Sequence, residues 1–262
     1  MISVMIAAIG NIGRAAMLGT SSLRGTLAFA VRVFLNFFDR RTYNSASLMV
    51  FIHQLYFTSV QILPLFLFVA VIFGFLINGM AFNAVKNMDY LGRLLMGFVV
   101  TELSPFITVL LIALRSSSAI NTEIAVMKVN REMSTLNSFR IDLIHYLFIP
   151  RILNGVFSMV LLTSLFALVV LSTGLLVSSL VFGTSVDTYV DTLLRSTDVL
   201  DIVILLIKCA TFGFFITLIP IRIGLSASEE LTSIPISVLN GMVKVFVAIV
   251  TIEVLSSIIR FI

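Results

Sequence analysis

A stretch of 35 residues without a charged side chain, Ile152 to Val186, constrains this chain more than any other feature. A helix needs about 20 apolar residues to cross the hydrocarbon core of a bilayer, so this stretch can span it with some tilt. The rest of the sequence has the same character, because 59% of its 262 residues are hydrophobic and only 11% are charged. Soluble domains carry about 25% charged residues, and we therefore predict a polytopic membrane protein.

Four more apolar runs bring the predicted number of membrane spans to five. We place the spans at about residues 57–82, 94–114, 152–186, 202–221 and 245–262. The first span contains Gly74 and Gly79, which could allow another helix to approach closely.

The N-terminal region contains a shorter apolar run, Leu27 to Phe38, which is interrupted by Arg32. At about 12 residues the run is too short to cross the bilayer. It fits either a helix that lies in the membrane interface or an amphipathic helix packed on the protein itself. The predicted fold class is an all-α membrane protein, with an N-terminal interfacial helix region (1–45) followed by a five-span domain (46–262).

Lysine and arginine are distributed unequally between the two sides of the predicted spans. Twelve of them fall in the N-terminal region and in the links at 115–151 and 222–244, whereas four fall on the other side. Basic residues concentrate in cytoplasmic loops, so the N-terminus and the 115–151 link are predicted to be cytoplasmic and the C-terminus external. Orientation in the bilayer also explains the net charge of +4 better than nucleic-acid binding does.

Three ionisable residues fall inside the predicted spans: Glu102, Lys208 and Glu253. A charge at the bilayer centre costs about 2.5–3.5 kcal/mol on insertion scales, so such residues usually face a cavity or a partner. For Glu102 we favour a polar contact in a substrate cavity; the alternatives are an ion pair with Lys208 and a protonated carboxyl bonded between helices. For Lys208 and Glu253 a structural role is favoured, and Lys208 could extend its side chain towards Asp201, seven residues away.

The long polar link after the second span is predicted to contain one short amphipathic helix, residues 121–135. The serines at 116–118 would mark the end of the span, and Asn121 or Thr122 would cap the new helix. Lys128 and Glu132 are four residues apart and would pair on its polar side. Such a helix is suited to docking a partner, although an ordinary solvated loop helix has the same pattern.

Motifs for catalysis and for metal or cofactor binding are not found. The sequence has no phosphate-binding glycine-lysine loop, and His53 and His145 lie far apart without other ligands at suitable spacing. No serine has an evident general base. The single cysteine, Cys209, lies in an apolar run and is expected to be a small buried hydrophobe.

The run ELSPFITVLLIALRSSSAINTEIAVMKVNREMSTLNSFRIDLIHYLFIPRIL, which starts at Glu102, resembles the MlaE (YrbE) permeases of bacterial MCE-type ABC lipid transporters. The positions that fit the family pattern are Glu102, Leu103, Pro105, Leu110, Leu111, Arg115, Ser118, Ala119, Glu123, Ile124, Met127, Lys128, Glu132, Asp142, Pro150 and Arg151. The likeness extends from about residue 50 to the end. The chain departs from the pattern at Thr101, where an arginine is common, and at Asn78-Gly79-Met80, where the family has Gly-x-Gln.

This resemblance implies the permease subunit of an ATP-driven transporter that moves phospholipid or another lipid between the inner membrane and a periplasmic MCE protein. Two copies, either identical or paralogous, would surround a lipid cavity. A cytoplasmic ABC ATPase dimer would bind a coupling helix between the second and third spans, and an MCE ring would lie on the periplasmic side. ATP hydrolysis would belong to the separate ATPase chain, and no metal, cofactor or nucleic acid is expected.

The resemblance and the charge pattern together give two sets of candidate site residues. The residues expected to contact lipid are Glu102, Thr101, Ile77, Met80 and Phe82. The residues expected to couple to the ATPase are Glu123, Met127, Lys128, Arg131 and Glu132.

Two other classes of function are alternatives to this interpretation. An ion-coupled secondary transporter of a small amphipathic substrate could use Glu102 and Lys208 as a relay. Such transporters often contain internal repeats, and this sequence shows none. An intramembrane enzyme would need a nucleophile beside a base, and the sequence offers no such pair.

Overall fold

The structure is a computed structural model that describes residues 25–26, 28–37, 39, 45–84 and 88–261. All regular secondary structure within these ranges is helical. The expectations for residues 1–24, 40–44 and 85–87, which include several of the basic residues counted above, lie outside the described residues.

The described chain forms eleven helices, numbered here in chain order. They are α1 (28–36), α2 (Ser45–Leu55), α3 (Leu63–Ala84), α4 (Met88–Leu94), α5 (Ser104–Ile112), α6 (Ser118–Val129), α7 (Glu132–Ser138), α8 (Ile149–Phe182), α9 (Val186–Arg195), α10 (Val199–Gly224) and α11 (Ser233–Phe261). Wider π-helical turns follow α2, join α4 to α5 and α5 to α6, and lead into α8.

Five helical segments of the described chain are long and apolar enough to cross a membrane. They are Ser47–Asn83, Tyr90–Val129, Ile144–Val181, Val199–Gly224 and Ser233–Arg260, called the first to fifth spans below. The predicted all-α fold with five spans is confirmed. The fifth helix begins about twelve residues before the predicted start of its span, because its first turns carry polar residues that a hydropathy argument assigns to a loop.

The second span is one helix of 40 residues. At about 1.5 Å per residue it is about 60 Å long, twice the thickness of the hydrocarbon core, so part of it must project beyond the membrane. The helix continues through serines 116–118, where the sequence predicts that the membrane span ends. The serines do not break the helix, because Ser117 Oγ donates to the Ile216 carbonyl at 2.7 Å and Ser118 Oγ donates back to the Leu114 carbonyl at 3.0 Å.

The predicted capping role of Asn121 or Thr122 is also wrong, since both lie inside α6. Asn121 is buried, donates its amide Nδ2 to the Ser237 carbonyl and accepts from Ser237 Oγ, both at 3.0 Å. Thr122 Oγ1 donates to the Ser118 carbonyl at 2.9 Å. Asn121 thus bonds α6 to α11, which a local capping pattern could not reveal.

The segment 121–135 is two helices rather than one. Helix α6 ends at Val129, and Arg131 adopts a left-handed conformation with φ of 58° before α7 begins at Glu132. A left-handed residue stops the regular hydrogen-bond ladder, so the chain changes direction there. The short helix between the second and third spans is consequently α7.

Helix α8 lies at the centre of the bundle and packs on both α3 and α10. Gly155 of α8 and Gly213 of α10 face each other so closely that a Cβ on either would collide with the backbone of the other helix. Gly74 likewise faces Thr173 of α8, whereas Gly79 meets open space. Close approach through small residues therefore applies to Gly74 but not to Gly79.

Helix α1 packs one face on the protein and leaves the other exposed. Ala30 and Val33 are buried in an apolar cluster with residues of α6 and α8, and the rings of Phe29 and Phe148 meet edge to face at 6.1 Å. Arg32 and Leu35 are exposed. This is the packed amphipathic helix that the sequence left as one of two options; the position of its outer face in the membrane interface stays a prediction.

Candidate functional site

Glu102 lies in the second span where the helix is wider than an α-helix. The turns from Leu95 to Leu103 are π-helical, and Ser104 Oγ donates to the Val99 carbonyl at 2.8 Å. Pro105 follows, and because proline has no N–H it cannot continue the regular ladder. Such π-helical turns are frequent at functional sites.

Lys208 of α10 is the buried centre of an ion-pair network around Glu102. Its side chain is only 1% exposed, and Nζ lies 2.5 Å from Glu102 Oε2 and 3.0 Å from Glu253 Oε1 of α11. One ammonium group therefore joins carboxylates from two other helices. A lysine this deep in an apolar bundle is stable only because both partners are charged hydrogen-bond acceptors.

Arg260, near the end of α11, extends the network; we call the Lys208 contacts its first layer and the Arg260 contacts its second layer. Its guanidinium lies 3.0 Å from Glu102 Oε1 and 3.2 Å from Asp201 Oδ1 of α10, and it also bonds the Gly97 carbonyl and Thr101 Oγ1. Glu102 thus uses one carboxylate oxygen for Lys208 and the other for Arg260. The two layers connect the second, fourth and fifth spans.

The network contains three carboxylates and two cations. Lys208 is enclosed, but the side chains of Glu102, Arg260 and Glu253 are 16%, 19% and 21% exposed. The network therefore opens onto the surface of the single chain. Charged groups facing lipid are costly, so this opening must face water or a polar partner when the protein is in a bilayer.

The alternative considered for Glu102, an ion pair with Lys208, is present, and the structural role favoured for Lys208 and Glu253 agrees with their burial. Lys208 does not extend towards Asp201, which pairs with Arg260 instead. Asp201 and Arg260 were not among the candidate residues. Asp201 is seven residues before Lys208, and Arg260 is seven residues after Glu253. This spacing of two turns on one helix face is the sequence signal that could identify them.

Thr101 is buried beside Glu102. Its Oγ1 donates to the Gly97 carbonyl at 2.6 Å and accepts from Arg260. A guanidinium thus reaches this position from α11 even though residue 101 is not an arginine.

The other three residues predicted to contact lipid lie on α3 in different environments. Met80 is 70% exposed, Ile77 is half-buried, and Phe82 is 6% exposed. Phe82 stacks on Tyr189 of α9, with ring centroids 6.5 Å apart. Asn78, also on α3, is buried and donates to the Val170 carbonyl of α8 at 2.9 Å.

Tyr189 lies in α9, outside the spans, and its hydroxyl donates to the Leu171 carbonyl at 3.1 Å. Burial raises the pKa of Tyr189 to about 12, because the phenolate form would lose its hydration. This tyrosine is therefore neutral at physiological pH, and its ring packs against the ring of Phe82.

At the opposite end of the second span, Glu123 of α6 is part of a polar cluster that joins three helices through Arg151 of α8. Its Oε1 lies 2.7 Å from Nη2 of Arg151, whose side chain is only 4% exposed. The amide of Gln54 in α2 faces the same guanidinium and, with its oxygen turned towards it, accepts two hydrogen bonds of 2.8 Å. Arg151 therefore fixes the ends of the first and third spans to α6.

The remaining predicted coupling residues lie close to Glu123. Lys128 Nζ donates to the carbonyls of Leu225 and Ala227 at 2.7 and 2.5 Å, so its predicted pairing with Glu132 is wrong. Those carbonyls follow the end of α10, where a lysine can bond unpaired carbonyls. Lys128 and Glu132 do not share a helix face, because α6 ends at Val129 and α7 begins at Glu132. Met127 is half-buried, whereas Arg131 and Glu132 are exposed, and Arg131 lies 3.3 Å from Glu229.

Five apolar helices with an ion-pair network enclosed between three of them define a polytopic integral membrane protein with a polar interior. Comparison with protein families identifies the group more closely. Residues 51–259 match the model described as Permease MlaE, and the chain belongs to the MlaE permease family. The resemblance stated from the sequence is confirmed.

Three curated relatives illustrate the similarity. The chain is 31% identical over 154 residues to Protein TRIGALACTOSYLDIACYLGLYCEROL 1, chloroplastic, of Arabidopsis thaliana, a match covering 56% of this chain and 43% of that protein. It is 29% identical over 148 residues to a probable ABC transporter permease protein of Synechocystis, covering 56% of each. It is 38% identical over 76 residues to the intermembrane phospholipid transport system permease protein MlaE of Haemophilus influenzae, covering 29% of each. The chain thus spans about half the length of the first two relatives.

Proposed function

We propose that this chain is the permease subunit of an ATP-driven transporter that moves phospholipid or another lipid between the bacterial inner membrane and a periplasmic MCE protein. Membership of the MlaE family supports the proposal, as does the Haemophilus relative, whose name describes intermembrane phospholipid transport. The chain itself carries no ATP-hydrolysing site in this proposal. Hydrolysis belongs to a separate cytoplasmic ABC ATPase dimer.

The observation that carries the proposal is the ion-pair network opening on one side of an apolar bundle. A lipid needs a polar position for its headgroup and an apolar surface for its chains. Glu102 lies at the opening with the buried Thr101 beside it, and Met80 and Ile77, on the separate helix α3, would offer apolar contact to the chains, where each buried CH₂ contributes about 0.8 kcal/mol. Phe82 reaches lipid only when α3 and α9 separate, because it is stacked on Tyr189.

A second copy of the permease, either the same chain or a paralogue, would complete the lipid path. The opening of the network lies at α11, whose apolar side chains are largely exposed in the single chain, among them Val247, Val250 and Val254. Two copies facing each other across this surface would enclose the charged groups and keep them away from bulk lipid.

The ATPase would dock on the end of the molecule formed by α6 and α7. Arg131 and Glu132 are exposed there, and Glu123 and Lys128 bond α6 to the third span and to the end of α10. Basic residues concentrate on this side of the predicted spans, which supports a cytoplasmic orientation for it. Residues 1–45 would then lie in the membrane interface, and the C-terminus of the permease domain (46–262) would be periplasmic. The MCE ring would then lie near Arg260.

ATPase docking can be tested with Glu132→Lys, which reverses an exposed charge on α7. We expect co-purification of the ATPase with the permease to fall at least tenfold, since reversing a charge in a complementary interface is costly. The matched control is Asp191→Lys, which reverses an exposed carboxylate on α9, away from α6 and α7. Equal recovery of the ATPase with both variants would remove α7 from the interface.

The lipid path can be tested with a photo-crosslinking residue at Met80 and at Leu180, both strongly exposed on apolar helices. In vesicles containing the assembled transporter, crosslinking to a labelled phospholipid at position 80 should change on addition of ATP. Crosslinking at position 180 should report bulk lipid and stay constant. Identical responses at the two positions would place Met80 outside the path.

An ion-coupled secondary transporter is the second candidate, because Lys208 lies between Glu102 and Glu253 as a proton relay would require. This candidate predicts substrate movement by the chain alone when a proton gradient is imposed on vesicles. The ATP-driven proposal predicts none without the ATPase. Gradient-dependent transport by the chain alone would decide for the alternative.

A further inference from the structure

The short helix α9 (Val186–Arg195) connects the third and fourth spans, and the proposed function gives its outer surface no role. Ser185 caps the helix by accepting a hydrogen bond from the Thr188 amide at 3.3 Å, Asp187 lies in the first turn, and Arg195 lies in the last. An acidic residue at the start and a basic residue at the end both stabilise a helix through its dipole. The sequence therefore specifies a regular helix between the two spans.

Helix α9 folds back along the side of α8. Gly183, with φ of 65°, ends α8, and the amide and Oγ1 of Thr184 then both donate to the Ser178 carbonyl, at 3.1 and 2.7 Å. Four residues into α9, the Tyr189 hydroxyl donates to the Leu171 carbonyl, which lies about 16 Å before the end of α8 along its axis. A tyrosine side chain could not reach that carbonyl from a helix standing beyond α8. Helix α9 therefore lies beside the last turns of α8.

The last turns of α8 lie where the spans contact lipid. The charge-free run 152–186 includes them, and their side chains Leu176 and Leu180 are apolar and exposed. Val199 and Leu200, at the start of the fourth span, are apolar and exposed as well. Contiguous exposed apolar side chains on membrane-spanning helices mark a membrane-contacting surface. Because α9 is held between these two helix ends, its outer surface lies at the edge of the same lipid-contacting zone.

The outer surface of α9 carries an apolar stripe and a charged stripe side by side. The apolar stripe is Val186, Val190 and Leu194, and the charged stripe is Asp187, Asp191 and Arg195. Within each stripe the residues are four apart and therefore share a helix face, and the two faces are about 100° apart around the helix. The three apolar side chains are 40–67% exposed. An exposed apolar face beside a charged one is typical of a helix that lies in the membrane interface.

We propose that α9 lies in the interface of the leaflet opposite the α7 side, with its apolar stripe against the acyl chains and its charged stripe towards water. The occupant of the stripe is lipid because the stripe continues the exposed apolar surface formed by Leu180 and Val199 at the ends of the adjoining spans. The lipid contact holds α9 at a fixed depth and thereby positions Tyr189 against Phe82. It requires neither ATP nor a partner chain.

The test places one spin label at a time on α9 of the full-length chain in phosphatidylcholine vesicles. The native cysteine is removed by Cys209→Ala, and power-saturation electron paramagnetic resonance compares the accessibility of each label to oxygen, which concentrates among acyl chains, and to a neutral nickel chelate, which stays in water. The labelled variants are Val186→Cys, Val190→Cys, Leu194→Cys, Asp187→Cys, Asp191→Cys and Arg195→Cys. With the apolar face about 5–10 Å deep, the oxygen-to-nickel ratio should be at least about threefold higher on the apolar stripe than on the charged stripe.

The neighbouring positions Val190 and Asp191 form a matched pair, since unfolding of α9 would expose both labels to nickel alike. Leu180→Cys supplies the reference for a lipid-facing label, and Glu132→Cys on the exposed face of α7 supplies the reference for water. Helix content by circular dichroism is compared with that of the Cys209→Ala parent. A variant that differs from the parent is replaced by the next position on the same stripe.

Equal oxygen-to-nickel ratios on the two stripes would overturn the proposal, because α9 would then stand in water. Exclusion of both reagents from the apolar stripe, with dipolar broadening between labels, would assign the stripe to a second copy of the chain instead of lipid. Nickel access in the chain alone that is lost only when the periplasmic MCE protein is added would assign it to that protein. Because the vesicles contain no ATP and no ATPase, the proposed transport function could fail while this lipid contact stands, and the reverse also holds.

Discussion

Replacing Lys208 by methionine tests how the ion-pair network is balanced. The substitution keeps an unbranched apolar side chain but leaves Glu102 and Glu253 facing each other without the ammonium that lies 2.5 and 3.0 Å from them. Removing one partner of a buried ion pair typically costs about 3–5 kcal/mol of unfolding free energy. Glu102 retains Arg260, so the uncompensated charge falls mainly on Glu253.

Protonation sets an upper limit to this cost. Neutralising an ordinary glutamate, with a pKa of about 4.3, costs about 3.7 kcal/mol at pH 7, and a protonated Glu253 no longer needs a cation. We therefore expect Lys208→Met to lose about 3–3.7 kcal/mol at pH 7. The loss should shrink by about 1.4 kcal/mol for each unit by which the pH is lowered, to about 1 kcal/mol at pH 5.

The assay is reversible denaturation in mixed micelles at pH 5, 6 and 7, following helix content by circular dichroism. Arg195→Met, which removes an exposed cation on α9, serves as the control and should change stability by no more than about 0.5 kcal/mol. Adding Glu253→Gln to Lys208→Met should recover a large part of the loss at pH 7. A loss that is independent of pH, or no recovery in the double variant, would refute this account.

Other contacts give predictions of different magnitude. Gly213→Val should destabilise the protein by about 2 kcal/mol or more in the same assay, because its side chain would push α10 away from α8. Gly79→Val should be nearly neutral, since Gly79 faces open space. Equal effects of the two variants would contradict this packing. Removing the exposed Arg131–Glu229 pair by alanine at both positions should cost under about 1 kcal/mol, and a larger cost would mean that the pair is more buried than described. Ultraviolet titration should show a tyrosine with a pKa of about 12, and this transition should disappear in Tyr189→Phe. The raised pKa favours the neutral tyrosine in the folded protein. The stabilising contribution of Tyr189 is therefore complete below about pH 10 and is lost as the pH rises towards 12.

The number and order of the membrane spans could be predicted because apolar length is a property of the local sequence. The charge-free run from Ile152 to Val186 and helix α8 agree within a few residues at their ends. The end of the second span could not be predicted in this way. Serines 116–118 and Asn121 have the composition of a helix end, but Ser117 bonds α10 and Asn121 bonds α11, each about a hundred residues away in sequence.

Some residues of the candidate site could likewise be predicted from the sequence, and others could not. Glu102, Lys208 and Glu253 could be identified because a charge inside an apolar run is visible without a structure. Arg260 lies at the end of the last span, where an arginine normally marks the interface, so its contact with Glu102 depends on the arrangement of three helices. The pairing of Lys128 was missed for a similar reason, since its partners are backbone carbonyls that the sequence does not show.

The unbroken second span has a mechanical consequence. Glu102 and Lys128 belong to one continuous helix and lie about 39 Å apart at 1.5 Å per residue, so the helix acts as a lever with one arm in each half of the molecule. A tilt of about 5° around its midpoint moves each end by about 2 Å. That displacement is enough to separate Lys208 from Glu102, because a hydrogen bond is lost beyond roughly 3.5 Å. A push on the α6 end would therefore separate these charged groups without any change in the backbone between Glu102 and Lys128.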